Sequence, residues 1–268
     1  MSGPILLRLQ RNRFVNAVVK RLAIHRMADW WLGVRPLVRR TSGGLRYKVR
    51  SVASIVAAKE IFETGMYSDP LRGQSILRFV DLGCNVGYVP VLLAELAGHR
   101  DIEGIAIDGN QTVIDETMEH IKENALNKVD VVLGLAGFEE SRTEAEFHVN
   151  PSSHIASTAT GKMNPDVPSA GRSVKVTVPC INVEQVWKER FGDARIDLLK
   201  VDIEGMELEL FLNSPALLAR SERVLFEWHK WQVSIDDCTA VLTAAGFGKP
   251  RTMWEDAQHG LAYCERVA

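Results

Sequence analysis

Residues 76–88 read Ile-Leu-Arg-Phe-Val-Asp-Leu-Gly-Cys-Asn-Val-Gly-Tyr. The first half is an apolar, β-prone run that suits a strand buried on both faces. It breaks at Asp81-Leu82-Gly83-Cys84-Asn85-Val86-Gly87, and from Val89 to Gly98 the chain resumes with the length and periodicity of a helix. A buried strand, a glycine-bearing turn and a helix form the nucleotide-binding corner of an open α/β sheet, where ligands sit beyond the strand's carboxyl end. Gly83 permits the tight turn and Gly87 the close approach of helix to strand. Asp81 at the strand's tip offers a hydrogen-bond acceptor to a cationic or hydroxyl-bearing ligand. A second acidic residue, Asp108, ends the short apolar strand Glu103–Asp108, at close to the spacing at which a carboxylate grips ribose hydroxyls.

The glycine spacing discriminates between cofactors. A dinucleotide fold needs G-x-G-x-x-G so that a pyrophosphate can rest on backbone amides at the helix start. Here Asn85 stands where the middle glycine would be, and Asp81 places negative charge at the tip. An amide and a carboxylate suit the ammonium and carboxylate of an amino-acid moiety better than a pyrophosphate. The pattern favours S-adenosylmethionine over NAD.

At 268 residues, with 46% hydrophobic and 25% charged side chains, the chain suits one sizeable α/β domain with an appendage. Cys84, Cys180, Cys238 and Cys264 form no CxxC pair, so neither a zinc cluster nor a disulfide framework is indicated, and buried free thiols in a reducing cytosol are expected. No apolar run approaches a membrane span, and Arg8 cuts short the apolar Ile5-Leu6-Leu7. A cytoplasmic protein is the expectation. The net charge of −2 conceals an asymmetry: residues 1–50 carry twelve Lys and Arg against the single acid Asp29. Val15, Val18, Val19 and Leu22 share one helical face, with Arg13, Lys20 and Arg21 away from it and Trp30-Trp31 following. A basic helical arm over 1–50 is expected, preceding a catalytic domain over 51–268. Such an arm could touch anionic lipid, an anionic substrate or nucleic acid; packing on its own acidic domain, or on a second copy of the chain, is the favoured reading.

Along the rest of the chain, helices are expected at 51–67, 112–127, 181–191, 206–218 and 235–245, and strands at 129–135, 196–201 and 223–226, with a closing strand pair between 252 and 267. The polar stretch 139–179 shows little periodicity and reads as a loop above the sheet, within which Ser152-Ser153-His154 could reach a ligand. Alternating strands and helices imply a doubly wound, mainly parallel sheet with helices on both faces. Two acidic clusters then close neighbouring strands: Asp202 and Glu204 after the fourth, Glu227 and His229 after the fifth. Both would open into the cofactor crevice. For transfer of a methyl group to a hydroxyl, the protein mainly holds oxygen and carbon in attack geometry, and His229 is the expected base. Asp202 or Glu204 could position the acceptor, orient the base or hold a hard metal ion, although no metal is assigned. Lys200 is expected to pair with one of these carboxylates, and Trp228 and Trp231 to pack in the core.

With these residues in place, a resemblance emerges. Phe79–Tyr88 (FVDLGCNVGY), Ile196–Phe211 (IDLLKVDIEGMELELF) and Val224–His229 (VLFEWH), in this order and preceded by Glu60–Tyr67 (EIFETGMY), resemble the signature segments of FkbM-family methyltransferases. The resemblance covers roughly Ser51 to the C-terminus and is most specific over Lys200–Gly205. It implies a class I methyltransferase (Rossmann-like) fold with a seven-stranded sheet, S-adenosylmethionine as donor, and O-methylation of a sugar, glycan or other small hydroxylated metabolite. It also implies cofactor contacts at Asp81, Gly83, Asn85, Gly87 and Asp108, to which the neighbouring Cys84, Tyr88 and Asn110 are added. Asp108-Gly109-Asn110 departs from the family's usual Glu-Pro-Asn but keeps the carboxylate, and Cys180-Ile181-Asn182 stands where Thr-Leu-Asp is usual. Three rivals are an NAD-dependent oxidoreductase, opposed by the missing G-x-G-x-x-G and the charged Asp81; a nucleic-acid methyltransferase using the basic arm, opposed by Asp202-Ile203-Glu204-Gly205 where an Asn-Pro-Pro-Tyr-like element would stand; and a non-catalytic binding protein that keeps the fold, opposed by the carboxylates at Asp81 and Asp108. No nucleic acid is therefore expected as partner.

Overall fold

The computed structural model of the chain describes residues 24–149 and 173–267. Its centre is a seven-stranded sheet built on β3 (Arg78–Leu82). On one side of β3 lie β4 (Glu103–Asp108) and β5 (Val129–Leu133), both parallel to their neighbours. On the other lie β8 (Leu198–Val201) and β9 (Arg223–His229), also parallel. The edge is closed by the antiparallel pair β10 (Arg251–Glu255) and β11 (His259–Glu265), with β11 against β9. The strand order β10-β11-β9-β8-β3-β4-β5 reverses direction of progression between β3 and β8, which is where open α/β sheets bind ligands.

The sheet is covered on both faces because alternate residues of its central strands are apolar in both directions. Val80, Leu82, Leu199 and Val201 pack with α5 (Val183–Phe191), α6 (Glu207–Asn213), α7 (Pro215–Arg220) and α8 (Ile235–Ala244), around the buried Trp187, Phe211 and Trp228. Phe79, Leu198 and Leu225 face the other way, toward α3 (Tyr88–Ala97) and α4 (Gln111–Glu123). The expected single helix over 206–218 is two, because Pro215 lacks the amide that would continue it past Ser214.

Two segments differ from their sequence reading. Only Ile24–Val34 (α1) of the described N-terminal residues is helical; the amphipathic stretch around Val15–Leu22 lies outside the described residues. Residues 37–49 are instead a hairpin of β1 (Leu37–Arg40) and β2 (Arg46–Val49) turning through Gly43-Gly44, because Leu45, Tyr47 and Val49 alternate inward and are buried. Tyr47 stacks on Phe62 of α2 (Val52–Phe62) at 4.3 Å, and the Lys48 amide donates to His120 Nε2 of α4 at 2.8 Å. Lys48 and Arg50 pair with Glu119 at 2.6 and 2.5 Å, so this part of the basic stretch packs on the acidic body of its own chain. The second difference lies in 139–179. It is not all loop: β6 (Glu144–Val149) and β7 (Val174–Pro179) pair antiparallel, burying Ala145, Phe147 and Val178 beside Leu135. Ser152, Ser153 and His154 lie outside the described residues.

Candidate active site

The crevice opens above the carboxyl ends of β3, β4 and β8. Gly83, Asn85 and Asp108 line one wall, Asp202 and Glu204 the other, and Leu135 and Phe147 part of the roof.

The first wall is built from backbone. The amides of Gly83 and Cys84 both donate to the Ile107 carbonyl, at 2.9 and 3.0 Å, which folds the turn back onto β4. Gly83 has φ +70°, and a Cβ there would sit 1.7 Å from the Asp202 carbonyl oxygen. Asn85 is left-handed (φ 48°), and its amide donates to Asp108 Oδ2 at 3.0 Å. The Asn110 amide donates to Asp108 Oδ1 at 2.9 Å. The carboxylate is thus aimed by two N–H groups while lining the crevice. Burial nonetheless pushes its pKa up to about 6, the two amides offsetting part of that rise.

The remaining expected cofactor positions frame this wall rather than line it. Asp81 is fully buried beneath the turn and pairs with Lys200 Nζ at 3.1 Å. Burial opposes the lysine's charge, but Asp81 and Asp202 hold it protonated, and its ammonium also donates to the Gly83 carbonyl at 2.6 Å. Gly87 starts α3 at φ +76°, where a Cβ would lie 2.7 Å from Thr117 Cγ2. Asn110 is buried as the N-cap of α4, accepting from the Thr112 amide at 3.1 Å. Two positions are corrected. The Cys84 side chain turns into the packing of Ala106 and Ile114, and Tyr88 donates its hydroxyl to the Lys48 carbonyl at 2.6 Å, on the hairpin side of α3. Tyr88 is turned there by the helix that Gly87 starts, and Cys84 by the turn that ties its amide to the Ile107 carbonyl.

The second wall is built from side chains. The sequence places Asp202, Glu204, Glu227 and His229 together, and the structure does so too. Glu204 is held in a left-handed backbone (φ 52°), and its Oε2 is 3.4 Å from His229 Nε2, with Asp202 Oδ1 at 3.8 Å. Glu227 lies 3.3 Å from His259 Nε2. Sequence reading missed Glu207. It is fully buried at the start of α6, and its Oε1 accepts from the amides of Ile203 and Gly205 at 3.2 and 3.0 Å and meets His229 Nδ1 at 3.0 Å. Its signal was its place on the face of α6 shared with Leu210 and Phe211, where an acid needs a partner. Glu60 of α2 also approaches: burial first, then the charge of Asp202, pushes it up to about 7.

His229 itself is 3% exposed. Burial disfavours its charge, but Glu207, Glu204 and Asp202 outweigh that and raise its pKa well above the ordinary value. That direction favours the charged ring, which fits a positioning residue better than the base expected from sequence. Trp228 is buried in the core as expected, whereas Trp231 stands edge-on to the His229 ring, centroids 4.8 Å apart.

A doubly wound sheet of seven strands, with a glycine turn after the first and an acidic residue ending the second, defines a Rossmann-like nucleoside-binding enzyme of the class I methyltransferase kind. The chain belongs to the FkbM methyltransferase family: the methyltransferase FkbM domain matches residues 81–248. No curated protein matches it in sequence. Solved structures that it resembles include a protein of the NADB-Rossmann superfamily from Streptococcus agalactiae, 14% identical over 74% of this chain and 66% of that one, TM-score 0.42. The chain thus spans just under two thirds of that protein's length. A second is TYW2 from M. jannaschii in complex with AdoMet, 16% identical over 87% of each chain, TM-score 0.43. A third is magnesium protoporphyrin IX methyltransferase from Synechocystis PCC 6803 with bound SAM, 11% identical over 80% of this chain and 81% of that one, TM-score 0.45.

The crevice residues fit S-adenosylmethionine, the methyl donor expected from the sequence. Asp108 presents an oriented carboxylate to ribose hydroxyls, and the glycine turn leaves room that a side chain at Gly83 would take. Among the described residues no helix is long and apolar enough to cross a membrane.

Proposed function

We propose that this chain methylates a hydroxyl oxygen of a sugar, glycan or other small metabolite. The observation that carries this reading is the cluster in which Asp202 and Glu204 line the crevice opposite Asp108, with His229 and Glu227 gathered behind them. When bound, S-adenosylmethionine supplies an electrophilic methyl group on a sulfonium. The chain's own task is to hold an acceptor oxygen in line with that carbon, which is worth on the order of 7–11 kcal/mol, and to take the hydroxyl proton. Glu204 in its ionised form is the proposed proton acceptor, because it lines the crevice and lies 3.4 Å from His229 Nε2; burial, partly offset by His229, pushes its pKa up to about 8, so turnover should rise with pH through that value. His229 and Glu207 act as positioning residues that set the direction of the Glu204 carboxylate. Asp81, Gly83, Asn85, Gly87 and Asp108 are the proposed donor-binding residues, Asp81 acting from beneath through Lys200.

An acidic acceptor wall favours neutral polyols over polyphosphates. Burial pushes Glu60 up to about 7, Glu204 up to about 8 and Glu227 well above the ordinary carboxyl range, so this wall offers hydroxyl-binding carboxyl groups and, among the described residues that line the crevice, no Lys or Arg to neutralise a phosphodiester backbone. This supports a small acceptor rather than nucleic acid. All four cysteines are free thiols, which supports a cytoplasmic location.

The experiment is incubation of the full chain with methyl-labelled S-adenosylmethionine and a panel of sugars and hydroxylated metabolites. Label retained as an alkali-stable methyl ether is the expected result. Label carried only in methyl esters, methylamines or RNA would overturn the reading.

A further inference from the structure

We propose that Asp202, Glu227 and His229 together bind one divalent cation of the Mg2+ or Mn2+ kind on the acceptor side of the crevice. One donor atom from each lies within 4.8 Å of the other two. That triangle closes around a small cation with side-chain adjustments of a fraction of an ångström to about one ångström, given bonds of about 2.0–2.2 Å.

The histidine separates this group from an ordinary acidic cluster. Glu207, fully buried and tied to the amides of Ile203 and Gly205, occupies His229 Nδ1 at 3.0 Å. A ring whose Nδ1–H is held by a carboxylate offers its other nitrogen, Nε2, as a ligand. This carboxylate–histidine–metal relay recurs behind metal-bound histidines. Here Nε2 points at Glu204 and Asp202, 3.4 and 3.8 Å away, at separations suited to sharing a cation. The same buried ring thus has one nitrogen fixed from behind and the other facing acidic oxygens in front.

Charge balance points the same way. Lys200 approaches Asp202 at 3.8 Å but is committed to Asp81 at 3.1 Å. His259 reaches Glu227 at 3.3 Å and Asp256 at 3.2 Å with its two nitrogens. What remains on the crevice side is more carboxylate than cation, and two hard oxygen donors with one imidazole suit Mg2+ or Mn2+. Bound there, the cation takes the place of the Nε2 proton of His229 and leaves coordination positions open toward the crevice for water or an acceptor hydroxyl. Glu204 stays beside it as proton acceptor. The use of the cation to hold an acceptor oxygen rests on the methyltransferase reading; its binding does not.

The test is a Mn2+ titration of the chelator-treated full chain, followed by electron paramagnetic resonance, alongside calorimetric titration with S-adenosylhomocysteine. One Mn2+ per chain is expected, displaced by excess Mg2+, and weakened at least tenfold by Asp202→Asn, Glu227→Gln and His229→Asn. The near-isosteric changes keep the fold, checked by circular dichroism, and Glu189→Gln on exposed α5 should leave Mn2+ affinity unchanged. Absence of stoichiometric Mn2+ binding, or binding untouched by all three substitutions, would overturn the site. If S-adenosylhomocysteine binds while Mn2+ does not, only the cation site falls. If Mn2+ binds and S-adenosylhomocysteine does not, the cation site stands and the donor assignment falls.

Discussion

The two walls of the crevice hold their negative charge in opposite ways. On the donor side, the Asp108 carboxylate is met by two backbone amides and Asp81 by a buried ammonium. The geometry is fixed by the turn between β3 and α3 and by the close approach of strands. On the other side, carboxylates face one another and the imidazoles of His229 and His259, and Glu207 is anchored to backbone amides. A backbone-built wall recognises what every donor molecule has in common. A wall made of side chains can be altered residue by residue, and in this fold that is where acceptor choice belongs.

The comparison breaks most severely at Gly83. A methyl group there meets the Asp202 carbonyl oxygen at 1.7 Å, so Gly83→Ala should lower stability by more than ~4 kcal/mol or abolish folding, read as a shift in the urea midpoint. If that variant melts like the parent, the turn is not the rigid wall described. Next is Glu204→Gln, on the side-chain wall. It should lower kcat about 10²–10³-fold with S-adenosylhomocysteine affinity changed less than twofold, since donor contacts lie opposite. A parallel loss of donor affinity would mean the walls are not separable. Glu207→Gln is expected to cost about 10–100-fold in kcat by loosening His229, with the full effect in kcat and little in the donor's Kd. The smallest change is Asp108→Asn, expected to weaken S-adenosylhomocysteine about tenfold, read by calorimetry.

Asp108 also carries a pH signature. Its pKa in the fold, about 6, lies above its ordinary value of 3.8. The unfolded chain therefore releases this proton first as pH rises. The carboxylate's contribution is a stability penalty absent below about pH 4, growing between there and 6, and complete above 6. Asp108→Asn should remove that penalty, so the variant melts higher than the parent at pH 7.5 and alike at pH 4, even as it binds the donor more weakly. The donor's affinity for the parent should fall when the pH drops from 7.5 to 5, as the acceptor of ribose hydrogen bonds becomes protonated. Equal affinity at both values would remove Asp108 from the donor site.

The backbone-built wall was readable in sequence because its demands fall on consecutive residues: Asp81, Gly83 and Gly87 lie within seven positions, and Asp108 closes the next strand. The side-chain wall was readable only in part. Asp202, Glu204, Glu227 and His229 stand at strand ends and announce themselves. Glu207 looked like one more acid on a helix until its shared face with Leu210 and Phe211 was seen, and Glu60 arrives from a helix about 140 residues away from its neighbours. That the Cys84 and Tyr88 side chains turn away from the crevice was not legible, because adjacency to the glycines says nothing of side-chain direction. The β6–β7 hairpin escaped notice because Val174, Val176 and Val178 find their partners across the intervening 150–172 segment, where no local turn signal links them.

The contact between Gly83 and Asp202 joins the two walls at their base. The turn belongs to β3 and the carbonyl to the end of β8, and no methyl group fits between them. The spacing of the two walls at their base is therefore set by two neighbouring backbones rather than by flexible side chains. Substitutions along the side-chain wall can reshape the crevice while that spacing stays the same.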